Sequence, residues 1–138
     1  MNVLIVDDEP LAREGMVLLL RDEAGISGIA QARNGAEAVT TIRANRPDLV
    51  LLDVQMPELD GFGVLRELGA EQMPPVIFVT AHDKYAIQAF EVNAIDYLLK
   101  PVERERFSQA LARVRERVSA QGVDNQHVRA LLQTLAAQ

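Results

Sequence analysis

V-L-I-V-D-D-E-P, from Val3 to Pro10, sets the frame for reading this chain. Val3, Leu4, Ile5 and Val6 are apolar and mostly β-branched, and they run directly into Asp7, Asp8 and Glu9. A short run of this composition reads as a buried strand. Pro10 follows where a first helical turn begins, a place that tolerates proline because the first N–H groups of a helix have no intrahelical partner. The stretch is therefore a strand that ends on negative charge and turns at once into a helix.

The same grammar recurs along the chain. Leu11 to Glu23 reads as a helix with Leu11, Leu18 and Leu19 on one face. Gly15 inside it costs about 1 kcal/mol against alanine, so either close packing or simple tolerance explains it. Gly28 to Arg33 is a weak second strand. Asn34 then reads as a helix cap with Glu37 three residues on, an Asn-led relative of the capping box, before a helix that Pro47 stops. Leu49 to Leu52 is a continuous apolar run ending at Asp53, as in a strand buried on both faces. Phe62 to Leu68 is helical, Val76 to Val79 is a buried strand ending at Thr80, and Lys84 to Val92 is a short helix. Ile95 to Leu99 is the last strand, running into Lys100-Pro101. Arg104 to Val118 is a long helix with Phe107, Leu111, Val114 and Val118 on one stripe. Strand and helix alternate through five repeats, which predicts an α/β fold: a five-stranded parallel sheet covered by helices on both faces, three layers in all.

Composition narrows the function. The 138 residues suffice for one domain with a sizeable core. The net charge of −6 argues against nucleic-acid binding by this chain alone. Arg104, Arg106, Arg113, Arg115 and Arg117 gather near the last helix, but Glu103, Glu105 and Glu116 are interspersed, so a solvated mixed-charge face is expected. The absence of cysteine excludes disulfides and thiolate chemistry. No secretory signal opens the chain and no stretch is long and apolar enough to span a membrane, so a cytoplasmic setting is expected.

The strand ends carry the chemistry. In a parallel sheet all strands point one way, so their carboxyl ends share an edge, and ligands of open α/β sheets bind outside that edge. The residues following the strands are Asp7-Asp8, Asp53, Thr80 and Lys100. Each has a plain structural alternative: a helix cap, a turn residue, a strand-end hydroxyl, a surface lysine. Together they bring three carboxylates, a hydroxyl and an ammonium to one place. Close carboxylates repel, and a hard divalent cation such as Mg²⁺ removes the repulsion while leaving coordination positions for a phosphate. A carboxylate not fully committed to the metal can act as a nucleophile and form an acyl phosphate.

These residues stand in a recognisable order. LIVDDEP (4–10), LVLLDVQMPELDG (49–61), VIFVTAHD (76–83) and DYLLKPV (96–102) together resemble the receiver domain of bacterial two-component response regulators, over residues 1–118. The resemblance implies a flavodoxin-like (βα)5 fold and Mg²⁺-dependent (or Mn²⁺-dependent) phosphoryl transfer from the phosphohistidine of a sensor histidine kinase. Position by position it makes Asp53 the phosphoacceptor. Asp8 becomes the main acidic metal ligand, Asp7 its neighbour, and the backbone carbonyl of Gln55 a further ligand. Thr80 matches the switch hydroxyl, Ala81 the small residue beside the phosphate, and Lys100 the phosphate-binding lysine. Pro101 follows a cis bond in this family, and Tyr97 is the aromatic that changes rotamer on activation. Such a domain is a switch and not an enzyme in the usual sense, although it catalyses its own phosphorylation and dephosphorylation. Activation implies a homodimer through the fourth helix, fifth strand and fifth helix.

The stretch AHDKYAIQAFEVNAIDYLLKPV (81–102) resembles, more narrowly, receivers that precede a LytTR-type DNA-binding domain. That implies transcription as the output, with DNA reached only through a domain outside this chain. Residues 119–138 then read as a polar linker with Gly122 as a breaker, followed by an amphipathic helix with Val128, Leu131, Leu132 and Leu135 on one stripe. This tail is either a frayed end or a signalling helix, and the chain either a piece of a longer regulator, the favoured reading, or a stand-alone receiver. His82 and His127 read as surface residues. Three rivals remain. An aspartate-nucleophile phosphatase would need a second acid where Gln55 stands. A pseudo-receiver would not need the complete set of acids, hydroxyl and lysine. A nucleotide-binding fold would need a Gly-rich loop after the first strand, and none is there.

Overall fold

The structure, a computed structural model, describes residues 1–118. The linker and amphipathic helix expected over 119–138, with His127, lie outside the described residues. Five strands, β1 (Asn2–Val6), β2 (Gly28–Ala32), β3 (Leu49–Leu52), β4 (Val76–Thr80) and β5 (Asp96–Leu99), form one parallel sheet in the order β2-β1-β3-β4-β5. Helices α1 (Pro10–Arg21), α2 (Gly35–Asn45), α3 (Gly61–Leu68) and α4 (Ala86–Glu91) connect them, and a fifth helix, α5, spans 104–118. This is the flavodoxin-like doubly wound order, which reverses direction between β1 and β3.

The strands divide their side chains between two cores, as the period of two demands. Leu4 and Val6 of β1, Val50 and Leu52 of β3, and Val76 and Phe78 of β4 pack under α2, α3 and α4. Val3 and Ile5, Leu49 and Leu51, Ile77 and Val79 turn the other way, against Met16 and Leu20 of α1 and Phe107, Ala110, Leu111 and Val114 of α5. Buried on both faces, these strands read as continuous apolar runs.

Several local expectations hold. The Asn34 side chain accepts the Glu37 N–H at 2.8 Å, although Glu37 pairs its carboxylate with Arg33 instead of returning a bond to Asn34. Ala38, Val39 and Ile42 face the core from α2. A Cβ on Gly15 would meet nothing within 4 Å, so that glycine is tolerated and not required by packing.

Others need correction. In α1 the expected face of Leu11, Leu18 and Leu19 is not the buried one: Leu11 is 80% and Leu18 59% exposed, while Met16 and Leu20 enter the core. Leu19 is partly buried against the same core, whereas Leu11 and Leu18 lie on the side of the helix opposite Met16 and Leu20. The helix expected over Lys84 to Val92 is split into a short 3₁₀ turn, Asp83–Tyr85, and α4. The α5 stripe is buried at Phe107, Leu111 and Val114, but Val118 is largely exposed. The arginines of α5 stand on an exposed mixed-charge face, as expected, and four of them also pair across the fold: Arg104 with Asp22, Arg115 with Glu23, and Arg106 and Arg113 both with Asp96.

Candidate functional site

The register of the sheet puts the acids together. Val6 of β1 lies opposite Leu52 of β3, so Asp7 and Asp53 emerge side by side at the carboxyl edge, where the strand order reverses. The Asp53 N–H donates to the Val6 carbonyl at 3.0 Å, and the Asp7 N–H to the Ala32 carbonyl at 3.1 Å, so both backbones are held by the sheet beyond its last paired residues. Asp8, one residue further, is exposed. Carboxylate oxygens of Asp7, Asp8 and Asp53 all lie within 4.8 Å of one another.

Lys100 arrives from the end of β5, and its N–H donates to the Thr80 carbonyl at 2.8 Å. The Lys100–Pro101 peptide bond is cis. The Lys100 ammonium donates to Asp7 at 2.7 Å and to Asp53 at 3.1 Å, bridging the two buried acids. One ammonium thus faces three carboxylates. Burial pushes the Asp53 carboxyl above its ordinary value, Lys100 opposes that rise, and the Asp7 charge adds to it. Burial works against the Lys100 ammonium too, but its bonds to Asp7 and the charge of Asp53 outweigh it, and its pKa is raised.

The surrounding loops are shaped to this pocket. The Gln55 N–H donates to Asp53 Oδ1 at 3.2 Å, and the Glu9 N–H to Asp7 Oδ1 at 2.9 Å. Gly61 starts α3 hard against the end of β3: a Cβ there would sit 2.5 Å from the Asp53 carbonyl oxygen. Thr80 is fully buried, and its hydroxyl accepts the His82 N–H at 3.4 Å. Among the described residues it bonds neither carboxylate. Ala81 and His82 are exposed beside it. Tyr97 is half-buried, packs against Phe78, and donates its hydroxyl to the His82 carbonyl.

Asp7, Asp53 and Lys100 are therefore in direct contact, Asp8 and Gln55 border them, and Thr80, Ala81 and Tyr97 flank the pocket on the β4 side. Sequence reading missed Arg13, which donates to the Asp7 carbonyl at 2.6 Å, Gly61, and Tyr85, whose hydroxyl accepts from the Gln55 side chain at 2.9 Å. A glycine directly after an acidic turn was the one available signal for Gly61. Arg13 and Tyr85 act through contacts that no local pattern announces.

A doubly wound sheet with an acid cluster and a lysine at its switch point defines a protein that handles a phosphate or a cation at its carboxyl edge. The model of the response regulator receiver domain matches residues 3–112, and the chain belongs to that family. The transcriptional regulatory protein BtsR of Salmonella typhi is 45% identical over 122 residues, 88% of this chain and 51% of that protein. An uncharacterized response regulatory protein of Vibrio cholerae is 47% identical over 114 residues, 83% of this chain and 48% of that one. The chain thus spans about half the length of these curated relatives. Among solved structures, the signal receiver domain of a Luxo repressor protein from Vibrio parahaemolyticus superposes with a TM-score of 0.79 at 26% identity, covering 88% of this chain and 95% of that one. The response regulatory domain of mrkE from Klebsiella pneumoniae gives 0.73 at 31% identity, covering 84% and 96%. Membership implies phosphorylation-dependent signalling, not the work of a turnover enzyme. No described helix is long and apolar enough to cross a membrane.

Proposed function

We propose that Asp53 accepts a phosphoryl group from the phosphohistidine of a sensor histidine kinase and that the resulting acyl phosphate switches an output. The observation that carries this reading is the Lys100 ammonium bridging Asp7 and Asp53 in a buried pocket. In the transfer an Asp53 carboxylate oxygen bonds to phosphorus, the phosphorus–nitrogen bond to the histidine breaks, and the departing imidazole regains a proton. Lys100 then turns from carboxylate to phosphoryl oxygen, Thr80 donates its hydroxyl to another, and Ala81 leaves room for the group.

The donor set fits a hard divalent cation: three carboxylates from two strand ends, two of them buried, with one lysine to balance them. Asp8, Asp7, Asp53 and the Gln55 carbonyl would hold Mg²⁺ or Mn²⁺, which when bound supplies charge neutralisation for the incoming phosphoryl oxygens.

On the output side, Thr80 drawn toward the phosphate frees space into which Tyr97 turns, and a phosphate that discriminates between the two arrangements shifts their populations. The α4–β5–α5 surface is the dimer face in this reading. Ile87, Phe90 and Leu99 stand there 77%, 83% and 48% exposed, which supports an apolar contact. The output is transcriptional, through a LytTR-type domain outside this chain in a cytoplasmic regulator. The match to BtsR, a transcriptional regulatory protein, supports that reading.

The test is intact mass after incubation with Mg²⁺ and acetyl phosphate. The parent gains one phosphoryl mass and Asp53→Asn gains none. A parent that binds Mg²⁺ yet gains no mass from acetyl phosphate or from a phosphorylated kinase domain would overturn the assignment.

A further inference from the structure

Tyr85 has no role in the scheme above, yet it is tied to the acceptor. Its ring closes the 3₁₀ turn after Thr80 and is seated on the aromatic pair under α3 and β4. The Phe62 and Tyr85 centroids are 6.1 Å apart, and Phe62 and Phe78 4.9 Å. His82 meets the ring edge-on at 6.3 Å, and the Lys84 ammonium lies 5.1 Å from its centroid. Phe62, His82 and Lys84 thus surround the ring, and none of them is an acid of the pocket.

From that seat the hydroxyl accepts the Gln55 side-chain N–H at 2.9 Å, and the Gln55 main-chain N–H donates to Asp53 Oδ1 at 3.2 Å. Gln55 itself is exposed, between buried Val54 and Met56. Its side chain spans from the loop after β3 to the turn after β4, a separation of 30 residues. Two hydrogen bonds thus connect the half-buried Tyr85 ring, through Gln55, to the Asp53 carboxylate.

We propose that Tyr85 is a positioning residue of the site: through Gln55 it fixes the main-chain N–H that orients Asp53 and the carbonyl assigned above to the cation. The second half rests on the proposed function. The first half stands on geometry alone. A neutral, partly hydrated hydrogen bond of this kind changes an equilibrium or a rate by about two- to tenfold.

Tyr85→Phe keeps the ring and removes the hydroxyl, and Gln55→Met keeps length and removes the amide. In the metal-free protein, Tyr85→Phe speeds hydrogen exchange of the Gln55 main-chain amide by about two- to tenfold while the melting temperature stays within about 2 °C. In the presence of Mg²⁺ the same variant raises the Mg²⁺ dissociation constant and slows acceptance from acetyl phosphate by a similar factor. Gln55→Met does the same, and the double variant is no worse than either single one. Unchanged Gln55 exchange in Tyr85→Phe, or effects that add in the double variant, would overturn the role of Tyr85. A parent protein that takes neither Mg²⁺ nor phosphoryl would sink the proposed function instead, and the metal-free exchange experiment still decides whether Tyr85 positions Gln55.

Discussion

Asp53 and Asp96 are both aspartates at sheet ends, with side chains 8% and 6% exposed, and burial works against the charge of each. They end in opposite conditions. Asp53 shares one lysine with Asp7 and sits near Asp8, and its carboxyl is pushed above its ordinary value of 3.8. At Asp96 burial also pushes upward, but Arg106 grips both oxygens at 2.6 and 2.9 Å, the Tyr97 N–H donates to it, and Arg113 adds a third cationic contact, so its carboxyl falls below 3.8. One cluster has more acid than base and the other more base than acid. In the function proposed above the first is the aspartate that meets the cation and the incoming phosphoryl group, and the second is a fastener between β5 and α5. What separates the two buried aspartates is the local count of counter-charges, not depth.

The comparison can be broken experimentally. The largest effect belongs to added cation. Mg²⁺ at a hundredfold its dissociation constant raises unfolding free energy by about 2.7 kcal/mol in the parent, and Asp53→Asn or Asp8→Asn removes most of that gain, while Asp96→Asn leaves it intact. Thermal melts with Mg²⁺ and with a chelator check it. Equal gains in Asp53→Asn and parent would show that the acid cluster does not hold the ion.

Next comes the fastener. Asp96→Asn lowers stability by about 1–3 kcal/mol at neutral pH, the range for hydrogen bonds to charged groups, read from the urea midpoint. The folded-state carboxyl is depressed, so its contribution is present above 3.8 and is lost as pH falls through the lower folded value. The gap between parent and Asp96→Asn therefore closes in acid.

The smallest effect has the opposite sign. Without metal, Asp53→Asn is more stable than the parent at neutral pH, by something on the order of 1 kcal/mol, because it removes a buried charge in excess of its partner. Here the folded-state carboxyl is raised, so the penalty is absent below 3.8 and grows as pH rises toward the folded value. This gap also closes in acid, but from the other side. A destabilised Asp53→Asn at neutral pH would show that Lys100 outweighs burial and repulsion together.

Much of this was legible from residues alone. Apolar runs ending at Asp7, Asp53, Thr80 and Lys100 are enough to place those groups on one edge, because parallel strands leave no other arrangement. What period could not supply was orientation. Leu11 and Leu18 look like a buried face in sequence and point to solvent in the fold, since an apolar residue is compatible with either side of a helix. Nor could local pattern find partners. The mixed-charge composition of α5 gives no sign that Asp22, Glu23 and Asp96, from elements far away in sequence, take Arg104, Arg115, Arg106 and Arg113. Tyr85 and Arg13 belong to the same class: their roles exist only once two loops, or a helix and a strand end, are brought together.

The pairing of Val6 with Leu52 has a consequence for how the chain can be lengthened. The spacing of Asp7 and Asp53 is gauged by adjacent rungs of a ladder, so one residue added inside β1 or β3 slides an acid by about 3.3 Å and turns every side chain beyond it to the opposite core. The connection through Gly69 to Pro74, at the other end of the sheet, touches neither rung. Peptides or whole reporter modules spliced there leave the acids in register, and a single residue spliced into β1 does not.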